Sequence, residues 1–566
     1  MKAGKKRTVT LLLAISLLLG GCLPAGVEDE TTLLPTTIET TVETEPPHHW
    51  ETGYIAGMSL DAEFFDEAGS PLGTLIRGTQ VEYEITDAGQ ITVLLDDAIV
   101  YLAEGACVVS DPAQVIPPHT LYVRTAVNLR DADGRLLTAF ADKGVSAQVS
   151  GYDYLEEDGT VHMYRVSIGD DEGYVNPWYL TDSEEAALAS YDHEGSYAVH
   201  ASREDQYGGG GAANLDYYPR EKGPIEGNEM PSECRTLYLA SWCLGQVDEY
   251  IAIANSSGIN AFVVDIVDGG AVGYAADVMH AYCPSGAVAA INTVEDYRAA
   301  VQKLKDAGYY VIGRITTFND TYFVTDHPEY AISDLNGQPL RLSGAYWPSP
   351  YSREAWQYKV DLAVEAVELM GFNEIQFDYV RFPDSAWRYE RAGTIDYHNA
   401  YCETKAQAVQ RFLMYATDIL HAHGAYVSAD VYGESAYTYV TAYGQYWPAI
   451  SNVVDAISGM PYPDHFGASG SWRPWEHPYE TLHSWGLCVA DRQKETATPA
   501  AVRTWIQAYN AIREPYNTYG PTEVSAQIKA LRDTGCTGGY MTWNANCSIS
   551  KYRSLIPAFA PPDEAQ

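Results

Sequence analysis

The sequence predicts an α/β protein in which a (β/α)8 barrel follows two small all-β barrels. From about Arg235 to Phe559, short apolar runs of β type alternate with amphipathic helical stretches, the rhythm of repeated βα units on a parallel sheet. Eight such runs can be counted, the number that closes a barrel. Between about Trp50 and Asp182 the pattern differs: short alternating runs, punctuated by Gly and Asp turns, form two similar stretches. The 566 residues are enough for several domains, and a 46% hydrophobic, 12% aromatic composition supplies their cores. With 35 Lys plus Arg against 76 Asp plus Glu, the formal charge is −41; such a field repels phosphate backbones, so no nucleic-acid partner is expected.

The chain opens with Lys2, Lys5, Lys6 and Arg7 ahead of an apolar run from Val9 to Leu19. That run is too short to span a bilayer and reads as an export signal over residues 1–21. Its end, Leu19-Gly20-Gly21-Cys22, resembles the bacterial lipobox. The resemblance implies a lipid anchor on Cys22 and an extracytoplasmic protein held to the bacterial cell membrane by that anchor only. Residues 22–49 are rich in Thr, Glu and Pro and bury too little apolar surface to offset the entropy of ordering, so they are expected to be a disordered tether. Of nine Cys, Cys22 leaves eight, an even number that permits disulfides. No Cys-x-x-Cys spacing occurs and His421 and His423 point to different helix faces, so no metal is expected.

The two β-rich stretches span residues 50–116 and 117–183. The second carries Asn128-Leu129-Arg130, Gly134-Arg135-Leu136-Leu137, Lys143-Gly144-Val145 and Gly173-Tyr174-Val175 in that order. This order resembles the bacterial SH3-like module. The first stretch, with Gly73-Thr74-Leu75-Ile76 and Ile91-Thr92-Val93-Leu94, lacks the Asn-Leu-Arg element. The resemblance implies one of two roles: binding of cell-wall peptide, or service as a spacer. Residues 184–231 read as a linker or extension; their Gly208–Gly211 run lacks the preceding strand and following Lys-Ser or Lys-Thr of a phosphate cradle.

The barrel is placed at residues 232–559, with a tail at 560–566. Its strands centre on Leu237–Leu239, Phe262–Val264, Val311–Gly313, Ile375–Phe377, Val427–Ala429, Ala456–Ser458, Trp505–Gln507 and Tyr540–Thr542. Between them, Thr293 with Asp296 makes a capping-box-like start, Tyr297, Val301 and Leu304 form a stripe, and Gly308 supplies the stop. Ser352 to Gly371 and Pro521 to Gly535 repeat the scheme. An open doubly wound sheet would have fewer strands and a Gly-rich first turn, which is not found.

In such a barrel the chemistry lies at the carboxyl ends of the strands. There the runs end in Asp265 and Asp268, in Asp378, in Asp430 and Glu434, in Asp464 and His465, and in Asn544, interleaved with Trp347, Tyr379, Tyr432, Tyr462 and Trp543. Paired acids among aromatic faces suit the cleavage of a glycosidic bond, in which one carboxyl protonates the leaving oxygen while another attacks or activates water. Strands lie about 4.7–4.9 Å apart. Acids ending the fourth and fifth strands therefore fit either the ~5–5.5 Å gap of a retaining enzyme or the ~6.5–9.5 Å gap of an inverting one.

The run Gly371-Phe372-Asn373-Glu374-Ile375-Gln376-Phe377-Asp378-Tyr379-Val380-Arg381-Phe382-Pro383 resembles the signature of a group of bacterial glycoside-hydrolase-like TIM barrels of largely undetermined substrate. Ala261–Ile266, Gly459–Phe466 and Gly539–Ala545 extend the match. The resemblance implies hydrolysis of an extracellular or cell-envelope polysaccharide or glycoconjugate, a reaction that needs no cofactor. Within it, Asp378 is the first choice of catalytic carboxylate, with Arg381 close enough to keep it ionised. Asp430 is its partner and Glu434 the rival acid. Asp265, Arg381, Trp347, Tyr379, Tyr432, Tyr462, Asp464, His465, Trp543 and Asn544 are the expected substrate contacts, although Asp265 could instead pair with Arg314. The opposing reading is a non-catalytic glycan- or wall-binding lipoprotein that keeps the cleft. An esterase finds less support, because Gly433-Glu434-Ser435-Ala436-Tyr437 lacks the second Gly of a nucleophile elbow. Closure would also bring Cys234 near Cys536 and Cys243 near Cys547, where one or both pairs are expected as disulfides.

Overall fold

A computed structural model describes residues 48–189, 209–213 and 215–559. The expected signal segment 1–21, the anchor residue Cys22, nearly all of the tether, part of the 184–231 extension and the tail 560–566 lie outside the described residues. No helix among the described residues is long and apolar enough to cross a membrane.

The first β-rich stretch folds as seven strands, Glu51–Ala56, Asp61–Phe65, Pro71–Ile76, Gln80–Ile85, Ile91–Leu95, Ala98–Leu102 and Cys107–Val109. Side by side they run third, second, sixth, fifth, fourth, first, seventh. The second stretch supplies His119–Val123, Val127–Arg130, Leu136–Ala141, Ser146–Tyr152, Tyr164–Ile168, Asp171–Val175 and Leu180–Thr181 in the same spatial order. Alternation fixes their cores, because side chains along a strand point to opposite faces. Thus Val81 and Tyr83 are buried while Gln80 and Glu82 are exposed.

The rest is a parallel α/β barrel. Its strands are β1 (Cys234–Leu239), β2 (Ala261–Asp268), β3 (Tyr310–Thr316), β4 (Glu374–Asp378), β5 (Tyr426–Tyr432), β6 (Ala456–Met460), β7 (Thr504–Gln507) and β8 (Gly539–Trp543). Each contains one of the eight apolar runs read from the sequence. The main helix following each strand is, in turn, α1 (Val247–Asn255), α2 (Val294–Asp306), α3 (Arg353–Met370), α4 (Lys405–Ala422), α5 (Trp447–Ser451), α6 (Pro478–Glu495), α7 (Pro521–Asp533) and α8 (Ile549–Leu555). Neighbouring strands pair from β1 through β6, and β8 pairs with both β1 and β7. The ring nearly closes through a short ninth segment, Ala501–Val502, which pairs with β6 one residue before β7 begins. Arg503 marks the switch between these two partners.

The helix signals act as expected. Thr293 Oγ1 accepts from Asp296 N at 3.0 Å to start α2, Ser352 Oγ accepts from Ala355 N at 3.1 Å to start α3, and Gly371 ends α3 with φ +74°. The α2 stripe Tyr297, Val301 and Leu304 is fully buried, each side chain worth about 1.5–3 kcal/mol of burial.

The second module is fused to this barrel, its core continuous with the barrel's own. Asp418 of α4, almost fully buried, accepts from Tyr179 OH at 2.8 Å and pairs with Arg130 at 3.0 Å and Arg220 at 2.5 Å. Arg353 of α3 donates to Asn128 Oδ1 at 2.8 Å. The first module keeps a separate core of Ile55, Val81, Tyr83, Val93, Val100 and Leu102.

The disulfide expectation is corrected: all four cysteines are free thiols. β1 does neighbour β8, but Cys234 stands opposite Gly539, while the Cys536 thiol faces Thr534 Oγ1 and Gly486 O. Cys243 donates to Ala240 O, and Cys547 Sγ accepts from Ala240 N. Cys243 and Cys547 are brought together as expected and interact side chain to side chain, but as thiols and not as a disulfide.

Candidate active site

Alternation along each strand sends every second side chain into the barrel, where they stack in layers. At the amino-terminal end, Glu374 of β4 receives both bonds of Arg503 Nη1 (2.8 and 2.6 Å) and one from Tyr310 OH. Two residues on, Gln376 donates to Ser458 Oγ and Met541 Sδ. Two further on, Asp378 ends β4 and enters the carboxyl-terminal layer.

That layer is organised by Arg314 of β3, a buried arginine in an otherwise uncharged strand. Register sets its company, since Asp265 of β2 lies beside Arg314 and Asp378 beside Thr316. Arg314 Nη2 meets Asp378 Oδ2 at 2.5 Å, Nη1 meets Asp265 Oδ1 at 2.7 Å and Asp268 Oδ1 at 3.2 Å, and Nε lies 3.8 Å from Asp430 Oδ2. The guanidinium also lies over the rings of Trp543 (5.5 Å) and Tyr238 (5.8 Å). Tyr238 OH donates to Asp265 Oδ2, and Trp505 Nε1 donates to Asp430 Oδ1 at 2.7 Å.

One cation cannot balance four ionised carboxylates, and burial decides which of them keep protons. Burial pushes Asp265 up to about 7 against the pull of Arg314. Burial, reinforced by the charge of Asp378, holds Asp430 well above the carboxylate range. Asp430 Oδ2 has no hydrogen-bond partner among the described residues. Access is graded: the Asp268 side chain is 39% exposed, Asp378 8% and Asp430 0%.

Beyond Asp378 the chain turns sharply. Tyr379 adopts φ +50°, uncommon for a residue with a side chain, and donates its N–H to Asp378 Oδ1 at 2.5 Å. Arg381 is carried away from Asp378 and donates to Tyr432 OH (2.6 Å) and Phe382 O, with its guanidinium over Trp347, Tyr379 and Tyr432. The counter-ion of Asp378 is therefore Arg314, correcting the expectation for Arg381.

The other expected residues divide. Trp543, Tyr379 and Tyr432 are half-buried around the Arg314 layer. Trp347 is buried and donates to Leu342 O, and Tyr462 is buried against Tyr509. Asp464 has no exposed surface; it accepts from Tyr509 OH and Ile512 N, which ties the loops after β6 and β7 together instead of opening to ligand. His465 is exposed, its ring edge-on to Tyr462. Both oxygens of Glu434 accept from tyrosines, Tyr439 and Tyr443, each at 2.6 Å. Asn544 is buried with Nδ2 unpartnered among the described residues. The alternative pairing of Asp265 with Arg314 is the one observed, but sequence reasoning gave Arg314, Tyr238, Trp505 and Asp268 no place among the expected catalytic or substrate-contacting residues. The charge of Arg314 inside the run Tyr310–Thr316 was the signal that could have found the hub.

Residues 236–549, more than half the chain, match a family model described as "Putative glycosyl hydrolase domain". The chain belongs to this family. The glycosyl hydrolase match covers all eight strands in whole or in large part, and with them every member of the Arg314 layer. Among solved structures, the chain is similar to a hypothetical protein from Ruminiclostridium thermocellum ATCC 27405 at 33% identity, over 34% of this chain and 97% of that one, with a TM-score of 0.29. It is also similar to the glycoside hydrolase domain of PgaB (BpsB) from Bordetella bronchiseptica at 14% identity, over 58% and 99%, with a TM-score of 0.43. A third is the chitobiase of Flavobacterium johnsoniae at 12% identity, over 58% and 48%, with a TM-score of 0.38. No curated protein matches the chain.

Proposed function

We propose that this chain is a glycoside hydrolase with a (β/α)8 catalytic barrel that cleaves a polysaccharide or glycoconjugate by a two-carboxylate mechanism. The observation that carries the reading is the sharing of one guanidinium by Asp378, in direct contact with it and slightly open to solvent, and Asp430, sealed 3.8 Å away. Asp378, 2.5 Å from Arg314 Nη2, is the group that attacks or activates water. Asp430, kept protonated by burial, is the acid for the leaving oxygen. We further propose that residues 1–22 export and anchor the protein, and that the two β modules are SH3-like.

The full burial of Asp430 favours a second reading, in which the layer only holds a glycan. Incubating the protein with purified wall and capsule polysaccharides separates the two. Hydrolysis predicts new reducing ends that fall by roughly 10²–10⁴-fold in both Asp378→Asn and Asp430→Asn. Binding without cleavage by all three proteins would end the hydrolytic reading.

A further inference from the structure

The two β modules share one strand order, but only the second has its outer hairpin covered. That hairpin, Val127–Arg130 with Leu136–Ala141, grips the barrel. Leu129 and Ala141 point into the core, so alternation turns Asn128, Arg130, Leu136 and Phe140 outward. All four meet the barrel. Arg130 pairs with Asp418 at 3.0 Å, Asn128 Oδ1 accepts from Arg353, Leu136 N donates to Gln357 Oε1 at 3.1 Å, and the Phe140 ring lies 5.0 Å from that of Tyr401. Asp418, Arg353 and Gln357 belong to α3 and α4, so the hairpin rests on a helical surface.

The corresponding hairpin of the first module, Asp61–Phe65 with Pro71–Ile76, has no such cover among the described residues. Ala62, Phe64 and Leu75 pack on that module's core. The opposite face carries Asp61 beside Ile76 and Glu63 beside Thr74, with Leu72 next along the strand. Leu72 is 53% exposed, and Met58 and Leu60, which lead into the hairpin, are exposed with it. Among the described residues no hydrogen bond or ion pair engages the side chains of Asp61 and Glu63. Charge sets the face apart as well. Residues 50–116 hold 12 Asp or Glu and a single Lys or Arg, Arg77, which is buried and directs its guanidinium to Gly159 O, Gly57 O and Met58 O. The second module has five such cations.

We infer that this face of the first module is a docking surface for a basic protein that presents an amphipathic helix, with Lys or Arg flanking an apolar stripe. Leu60 and Leu72 would meet the stripe, and Asp61 and Glu63 the flanking cations. Phe140 and Arg130 divide the work in the same way on the barrel, with the charges exchanged: there the module supplies the cation and α4 the acid. A second copy of this chain fits poorly, because its formal charge is −41 and the helical surface that receives the second hairpin is already covered. An anionic membrane surface is repelled for the same electrostatic reason. The inference does not depend on what the barrel cleaves or binds.

The test uses the full chain and three synthetic amphipathic helices that share one apolar stripe and carry Lys, Gln or Glu on its flanks, read by calorimetry and hydrogen exchange. The Lys helix is expected to bind at least about tenfold tighter than the Gln helix and to slow exchange across residues 58–76. Leu72→Ser should weaken that binding at least about tenfold. Asp61→Lys with Glu63→Lys should transfer the preference to the Glu helix. Asp170→Lys with Glu172→Lys makes the same change of charge on the second module and should leave Kd within about twofold. All five positions are exposed, so the variants should keep the wild-type thermal midpoint. No binding of the Lys helix, protection confined to other residues, or an equal loss in the second-module variant would overturn the inference. Self-association in sedimentation that Leu72→Ser abolishes would overturn it too, by giving the face to a second copy.

Discussion

Two buried arginines stand at opposite ends of the barrel, and their company differs. Arg503, at the amino-terminal end, holds a single carboxylate, Glu374, with both bonds from one nitrogen, and neither residue has exposed surface. Arg314, at the carboxyl-terminal end, is divided among Asp265, Asp268, Asp378 and Asp430. The first arrangement is charge-balanced and closed to solvent, although Arg503 Nε and Nη2 find no hydrogen-bond partner among the described residues. The second is over-supplied with acid and opens at Asp268. Burial of an ion pair is thus no sign of function by itself; an unbalanced count beside an opening is what marks a site.

The contrast is sharpest in stability. Glu374→Gln leaves Arg503 buried without its counter-ion and should cost about 3–5 kcal/mol in denaturant unfolding. Asp378→Asn should cost much less, since Arg314 keeps Asp265 and Asp268. Equal losses for the two variants would erase the distinction between the ends.

A smaller effect follows from pH. Asp265 is raised to about 7 in the folded protein by burial, above an unfolded value of about 3.9. A raised acid stabilises the fold fully below its unfolded pKa and loses that contribution as pH climbs through the folded one. Thermal midpoints of the wild type should therefore fall more steeply from about pH 4 to about pH 7 than those of Asp265→Asn. Parallel slopes would show that Asp265 is not the group responsible. Smallest of all should be Asp248→Asn, which removes an exposed pair with Lys303 on the outer helices α1 and α2. No measurable shift in midpoint is expected, as screening and side-chain entropy cancel most of such a contact.

How far the sequence could be read depended on the range of the interaction. The eight strands were legible because fully buried parallel strands are continuous apolar runs. The helix starts at Thr293 and Ser352 and the stops at Gly308 and Gly371 were legible because caps are local chemistry. The kinship of the two β modules showed in their turn spacing, and the shared strand order now stands beside it. Asp378 could be singled out as the acid ending an apolar strand, but its partner could not. Arg381 is three residues away along the chain, yet Tyr379 turns it elsewhere, and the arginine that matters comes from β3 through cross-strand register. The same blindness hid Trp505 behind Asp430 and Tyr238 behind Asp265, and it made the sealed Asp464 look like a rim residue.

The fusion of the second β module to α3 and α4 means that sequence kinship and mechanical independence part company in this protein. The family match begins at residue 236, but a truncation there would strip Asp418 of Arg130, Tyr179 and Arg220 together and lay bare the apolar helix faces that the module covers. A piece that keeps these contacts must include the second module, while the leading module has its own interior and meets the second where buried Arg77 donates to Gly159 O.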